Sequence, residues 1–489
     1  MEKIVNKALE EFLGTAIRET HRTQVRIKQD EAGYKAEHKD FFFLPQFTDK
    51  GGKRLLTTTT AIEAIAKFGE RWRKERKDRI SQITCQTARH WATSAFCTTL
   101  CADDLTTGWT SGAVRERCAE IVNALDQKLK DRQNPRDHYF PCTIFPIPSA
   151  LGSFSIGAVS FYPRDEWLDH IEEAATTENN GFGSEVIRNI RRGPRSDPSG
   201  ATNEVAAGAI KYIGESTWVA GIRLQGSDTE RSIEMAHGAA RLAIDSIGLL
   251  FRKSVWEEMR GPGNESHYRL FGCITQTDNG SLTAPRLFEM SLGNGFWAEK
   301  EFAEKTVEYR NIVGRAISAV LDISPDDKFS LRQRWCDALF WFGEARRSSV
   351  EFMALVHYGV ALDVLAGNGK SKGICELVSS LSGTSPESKP YYNYPKMTLK
   401  KSIDIIYGEC RSQWTHGGQG ALLRDLPISP YTVDVLVRRT LEQYIIKLDR
   451  YLAEDGAVDS CEKFLPWVKR NTQGDDRVLP PRPAGGYIS

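Results

Sequence analysis

The sequence predicts a mixed fold: a mostly helical N-terminal region, an α/β or α+β middle and an all-α bundle at the C-terminal end. Three observations carry this. Apolar residues recur at helical spacing through the first 130 or so positions. The period then changes to that of β-strands between about 138 and 276, and from about 330 a run of well-capped helices follows. The divisions fall at 1–135, 136–329 and 330–456, with 457–489 expected as a tail. A chain of 489 residues suits two or three domains.

In order, residues 1–20 place Ile4, Ala8, Leu9, Phe12 and Leu13 on one helical stripe. FFFLPQF (41–47) reads as a strand or buried loop cut by Pro45. A helix from about 60 runs into RWRKERKDR (71–79), where six of nine residues are basic, and another helix covers about 112–131. Segments 138–147, 154–162, 216–224 and 268–276 are rich in β-branched and aromatic residues and read as strands. A helix at about 228–251 opens on Ser227 and Glu230 at capping-box spacing, with Met235, Ala239, Leu242 and Leu249 along its apolar side. RNIRRGPRSDPSG (188–200) reads as a basic loop punctuated by Gly, Pro and Ser.

The C-terminal helices have clear signals. Ser330 with Gln333, and Ser348 through Glu351, have capping-box spacing; Gly367 and Gly383 end helices; Thr398 opens a helix to Trp414, and Ser429-Pro430 opens one to about 453. Short connections between such helices imply an antiparallel bundle.

Composition narrows the function classes. With 65 Lys+Arg against 64 Asp+Glu, 40% hydrophobic and 26% charged residues, the chain matches a globular protein rather than a disordered or polycationic one. No apolar stretch reaches transmembrane length, and MEKIVNKALEEF lacks a signal-peptide core, so a cytoplasmic protein without membrane contact is expected. Ten cysteines include no CxxC pair; Cys97 and Cys101 follow His90 on one helix, but no second ligand pair answers them, so reduced thiols and no metal are expected. GNGKSKG (367–373) is no phosphate loop, because Val364 stands where the first glycine belongs and a helix precedes it. GKSKG (369–373) has GxSxG spacing but follows a helix rather than a strand, so it is no nucleophile elbow, and no HExxH or DxDxDG motif occurs.

What stands out is Arg411 followed by His416 and Gly417-Gly418 at a helix end. Arg also precedes His at Arg132/His138, Arg164/His170 and Arg231/His237, but in a loop, a polar segment and a helix interior. Five residues on a straight α-helix splay two side chains by about 140°. The glycines let His416 leave that path and turn back toward Arg411.

The run DALFWFGEARRSSVEFMALVHYGVALDVLAG, a Gly-punctuated third helix and LKKSIDIIYGECRSQWTHGG together resemble the HEPN superfamily. The likeness is to its Apea-like branch of bacterial antiviral and toxin RNases. It covers about 330–455 and rests on Ala361-Leu362-Asp363-Val364-Leu365 and on Tyr407, Arg411, His416 and Gly417. Directly after the Arg, where the family often has Asn, Asp or His, this chain has Ser412. The resemblance implies a cofactor-free endoribonuclease in which Arg411 and His416 are catalytic, a homodimer through the bundle, and Asp363, Tyr407 and Ser412 in support. Imidazole titrates near neutrality and guanidinium fits phosphate oxygens, so the chemistry needs no metal. The expected partner is RNA, with Arg71, Arg73, Lys74, Arg188, Arg191 and Arg192 as candidate phosphate contacts. The remaining two thirds are expected to sense a trigger, possible phage-derived molecules included, or to restrain the nuclease. Two other readings stay open: a non-catalytic RNA-binding or dimerisation module, and a small-molecule enzyme in the middle region.

Overall fold

The computed structural model describes residues 7–30, 47–48, 54–55, 57–76, 83–101, 110–131, 135–145, 151–177, 181–192, 201–213, 216–225, 229–251, 275–276, 282–283, 306–321, 330–367, 369–391, 394–413 and 425–472, with 259, 261 and 302. Helices dominate, and four strands form one sheet. Contacts divide the chain into two units, Met1–Arg136 with Leu224–Met235 and Ile323–Asp327, and Asp137–Arg223 with Ala236–Asp322 and Lys328–Ser489. Among the described residues, no helix is long and apolar enough to cross a membrane.

In the first unit, α1 (Lys7–Gln29), α2 (Thr59–Glu75), α3 (Cys85–Cys101) and α4 (Ser111–Asp131) pack together, beside a two-stranded ladder of β1 (Phe47–Thr48) and β2 (Arg54–Leu55). The α1 stripe is Leu9, Leu13, Ala16 and Ile17, all buried, and the helix runs well past the expected residue 20. Phe68, Trp72, Trp91 and Phe96 fill the centre. Trp72 is wholly buried because its indole N–H donates to Asp126 at 3.1 Å. Ile4 and residues 41–46 lie outside the described residues.

The second unit is built on a sheet of order β3-β6-β5-β4, from β3 (Arg136–Cys142), β4 (Phe154–Ile156), β5 (Val159–Pro163) and β6 (Trp218–Leu224). FSIGAVSFY is two strands where one was expected. Gly157, at φ +60, makes the turn, and Phe154 then pairs with Phe161 across an antiparallel hairpin. Register against β6 puts Phe161 opposite Ala220 and Tyr162 opposite Val219, so the two faces differ. One face buries Ile156, Val159, Phe161, Trp218 and Ile222. The other is covered by three helices the sequence reading missed, α5 (Arg164–Thr177), α6 (Gly181–Arg192) and α7 (Ala201–Ile213). RNIRR is therefore the end of α6 and no loop: Val186, Ile187 and Ile190 form a buried stripe that the neighbouring arginines and the Gly-Pro that follow concealed. Likewise Arg164 and His170, expected in a polar segment, sit on α5. Only Thr275–Gln276 of the expected 268–276 strand is described, as β7, paired with β8 (Leu282–Thr283).

The same unit holds α8 (Thr229–Leu250) from Ala236 onward, α9 (Val307–Leu321), α10 (Leu331–Arg347), α11 (Glu351–Ala366), α12 (Lys370–Ser382), α13 (Leu399–Asp404), α14 (Pro430–Leu452) and α15 (Cys461–Asn471). The capping box at Ser330 and Gln333 is present, and Thr398 and Ser429 cap α13 and α14. The second expected box is absent. Ser348 turns back on Val350, whose backbone N–H it accepts at 3.4 Å, and α11 starts on Val350 with no side-chain cap. The expected tail begins with α15, which holds Pro466 inside it and buries Phe464, Trp467 and Val468 against α12 and α14.

A buried ion pair organises the bundle. Arg346, at the end of α10, is 2% exposed. Its Nε and Nη2 reach Asp434 of α14 at 2.7 and 2.9 Å, and Nη1 donates to the Gly248 carbonyl of α8 at 2.8 Å. The Tyr358 hydroxyl of α11 donates to the same carboxylate at 2.7 Å, and Arg346 lies over the Phe342 ring at 4.5 Å. Next to it, Arg347 holds buried Asp245 of α8 through bonds of 2.8 and 3.0 Å.

Burial alone would raise the Asp434 carboxyl, but the Arg346 charge and the hydrogen bonds from Arg346 and Tyr358 hold it below the ordinary 3.8. Such a carboxylate contributes fully above that value and loses its contribution as pH falls through the folded-state pKa. We expect Arg346→Met to cost about 3–5 kcal/mol in urea unfolding, because it strands a buried carboxylate, and to flatten the acid limb of stability below the ordinary carboxylate value. The double variant Arg346→Met, Asp434→Leu should recover most of that loss.

Candidate functional site

The helix expected as far as Trp414 changes register after α13, and Trp414 itself lies outside the described residues. From Ile405 to Gln413 the backbone is π-helical, with i→i+5 hydrogen bonding. Each turn then holds more residues than an α turn. Ile405, Ile406 and Cys410 are buried along this segment, and its packing partner is α11.

The close approach is permitted at Gly359 of α11. A Cβ there would stand 2.9 Å from the Cβ of Arg411 and 3.1 Å from the carbonyl oxygen of Ile406. No side chain fits that gap. One turn further along α11 is Asp363, whose Oδ2 lies 3.0 Å from Nη2 of Arg411. The Arg411 guanidinium carbon also sits 5.2 Å from the centre of the Tyr407 ring, one turn earlier in the π segment. A carboxylate and an aromatic ring thus hold the guanidinium.

The electrostatics of the pair are asymmetric. The Asp363 side chain is 8% exposed and that of Arg411 33%. Among the described residues, Oδ1 of Asp363 has no hydrogen-bond partner. Burial raises the Asp363 carboxyl above its ordinary value, and the Arg411 charge offsets part of that rise. The end of α11 is fixed in turn by Arg334, which donates to the Val364 carbonyl at 3.0 Å, and by the left-handed cap at Gly367. His357 belongs to another face of α11. It packs on Trp341 with ring centres 5.5 Å apart, and burial lowers its pKa.

The structure therefore brings together Asp363, Tyr407 and Arg411 from the residues singled out in the sequence. His416 and Gly417 lie outside the described residues, as does the Ser412 side chain, although its backbone belongs to the π segment. Among the described residues, no three His, Cys, Asp or Glu side chains converge as metal ligands. GNGKSKG is the end of α11 and the start of α12, joined through Gly367 and Gly369.

No family, no curated protein and no solved structure matches this chain.

The expected phosphate contacts divide into two groups. Arg71 pairs with Glu75 at 2.9 Å, Arg73 donates to the Ile83 carbonyl, and Arg191 reaches Asp169 and, at 3.0 Å, Glu172. Lys74, Arg188 and Arg192 are exposed on α2 and α6. Gly359 was missed in the sequence. Its signal was a glycine inside an unbroken apolar helix, four residues before the acidic position, which marks close backbone approach.

Chemically, a guanidinium one third exposed and oriented by a buried carboxylate can meet phosphate oxygens in a fixed geometry. Gly359→Ala should push the π segment away and cost about 1–3 kcal/mol in thermal or urea unfolding, as overpacking does. Gly408, whose added Cβ would meet nothing within 4 Å, is the control: Gly408→Ala should leave stability unchanged or raise it.

Proposed function

We propose that the C-terminal bundle is a metal-independent endoribonuclease of the HEPN type that acts in anti-phage defence or as a toxin. The observation that carries this reading is Arg411 seated between Asp363 and Tyr407 at the end of a helix, five residues ahead of His416. RNA supplies its own nucleophile, the 2′-hydroxyl. His416 takes or delivers the proton, since imidazole titrates near neutral pH. Arg411 stabilises the charge that builds on the phosphate oxygens, and Asp363 sets the plane of its guanidinium. The products are a 2′,3′-cyclic phosphate and a 5′-hydroxyl.

One imidazole cannot carry both proton transfers in the same step. A two-fold dimer of bundles, with two Arg411/His416 pairs in one cleft, supplies the second. The remaining two thirds of the chain sense a trigger or restrain the nuclease, and the site of action is the cytoplasm. A second reading is a non-catalytic RNA-binding or dimerisation module. Ser412 favours it, because the family's usual side chain is missing beside the Arg.

Wild type, Arg411→Ala and His416→Ala are compared for growth arrest in cells and for RNA cleavage by the purified protein. Both variants should lose about a hundredfold or more in cleavage rate, with cyclic-phosphate ends disappearing and wild-type activity surviving EDTA. Cleavage that persists in both variants, or that EDTA abolishes, overturns the mechanism. A wild type that binds RNA without cutting it, even in phage-infected cells, selects the binding module.

A further inference from the structure

A π-helix as long as Ile405–Gln413 is rare, because its hydrogen bonds and packing are poorer than those of the α form. Such backbone persists only where the surroundings over-determine it. Among the described residues, the following anchors hold it. Gly359 admits the backbone, Ile405, Ile406 and Cys410 fill the core side, and Asp363 with Tyr407 hold Arg411. We propose that this segment is a register device, π-helical while Asp363 clasps Arg411 and α-helical once the clasp opens, so that releasing Arg411 turns Arg411 and Cys410 about the helix axis together.

The register turns on which anchors can be lost. Buried isoleucines hold the segment against α11 in either register, because apolar contact has no direction. The clasp is directional and specific to one register, since it ties one guanidinium to one carboxylate. It is also the costly anchor. Asp363 is buried, its Oδ1 lacks a partner among the described residues, and burial already pushes its carboxyl toward the neutral form. An anion that competes for Arg411 would leave Asp363 free to take up a proton, so opening does not strand a buried charge. Gly408 in the middle of the segment faces open space and gives the backbone room to rewind. The purpose of the device, to couple phosphate occupancy at Arg411 to its presentation, rests on the ribonuclease reading. Its existence does not.

Cys410 is a built-in reporter. It is fully buried, and burial pushes its thiol up to about 12, so in the π register it should be almost inert to alkylation. Cys336 of α10 and Cys375 of α12 are buried elsewhere in the bundle and serve as internal controls. Full-length wild type and Asp363→Asn are pulsed with iodoacetamide, and each cysteine is followed by mass spectrometry, with far-UV circular dichroism on the same samples. Asp363→Asn should label Cys410 about tenfold faster, with both controls and the helical signal unchanged. An unchanged Cys410 rate overturns the proposal. So does faster labelling accompanied by lost helical signal, which would mean fraying. If Asp363→Asn exposes all three thiols, Arg411→Gln opens the same clasp from the other side and is judged by the same criteria. RNA cleavage is assayed separately. A wild type that cuts no RNA but shows the thiol response sinks the nuclease reading alone, and active enzyme without the response sinks the device alone.

Discussion

The bundle is organised around one desolvated charge. Withdrawing a guanidinium from water costs several kcal/mol even after relaxation, and Arg346 is withdrawn completely. The cost is met by satisfying nearly every direction of the fork: two bonds to Asp434, one to the Gly248 carbonyl, a ring below from Phe342. Asp434 in turn needs its own lone pairs filled, and Tyr358 fills one. Because the partners belong to α8, α11 and α14, satisfying one charge fixes the relative rotation of three helices about α10. Packing alone tolerates small rotations, whereas a bidentate ion pair in a dry interior does not. The adjacent bridge from Arg347 to Asp245 repeats the constraint on α8.

That constraint reaches the candidate site through α11. Tyr358 points into the ionic centre, and its neighbour Gly359 is turned about 100° away, toward the π segment. Asp363 follows one turn later on that same side, facing Arg411. A rotation of α11 by a fraction of a turn would carry Asp363 off Arg411 and replace Gly359 by a side chain at the point of closest approach. The buried pair therefore fixes the helix on which the partly exposed Asp363–Arg411 pair depends. Stability and site geometry share one helix, with its two faces assigned to the two tasks.

How much of this was legible in the sequence depends on whether the signal was local. The helix ends at Ser330, Gly367, Gly383, Thr398 and Ser429 were readable because caps are local chemistry between neighbours in the chain. The hairpin at Gly157 and the helix α6 were misread for opposite reasons. In the first, a strong β pattern hid a turn; in the second, arginines and a following Gly-Pro hid the stripe of Val186, Ile187 and Ile190. Pro466 concealed α15, where burial of Phe464 and Trp467 outweighs a missing backbone hydrogen bond. At the site, Asp363, Tyr407 and Arg411 were readable as residue types at suggestive places. The π register was not. It depends on Gly359 and Asp363, which precede the segment by a helix and a long loop, so the mark that Gly359 leaves on its own helix does not say which backbone it admits.

The charge balance also reads differently once partners are known. The near-equality of 65 basic and 64 acidic residues does not reflect idle charges spread over a surface. Arg346 and Arg347 are consumed by the bundle, Arg76 by Asp126, Arg191 by Asp169 and Arg315 by Asp449. Among the proposed phosphate contacts, Arg71 and Arg73 already serve α2 and its surroundings. Phosphate affinity scales with the number of cations that can shed counterions on contact, and an arginine engaged by a carboxylate contributes little to that count. On the ribonuclease reading, these two arginines would add little to RNA affinity. On that reading discrimination would rest on Arg411, where the guanidinium is held in place by Asp363 before any phosphate arrives, so that little ordering cost is left for binding. The same clasp opposes binding, since a phosphate must compete with Asp363 for the fork. Preorganisation and competition are thus set by one carboxylate, whose burial already works against its charged form while Arg411 supports it.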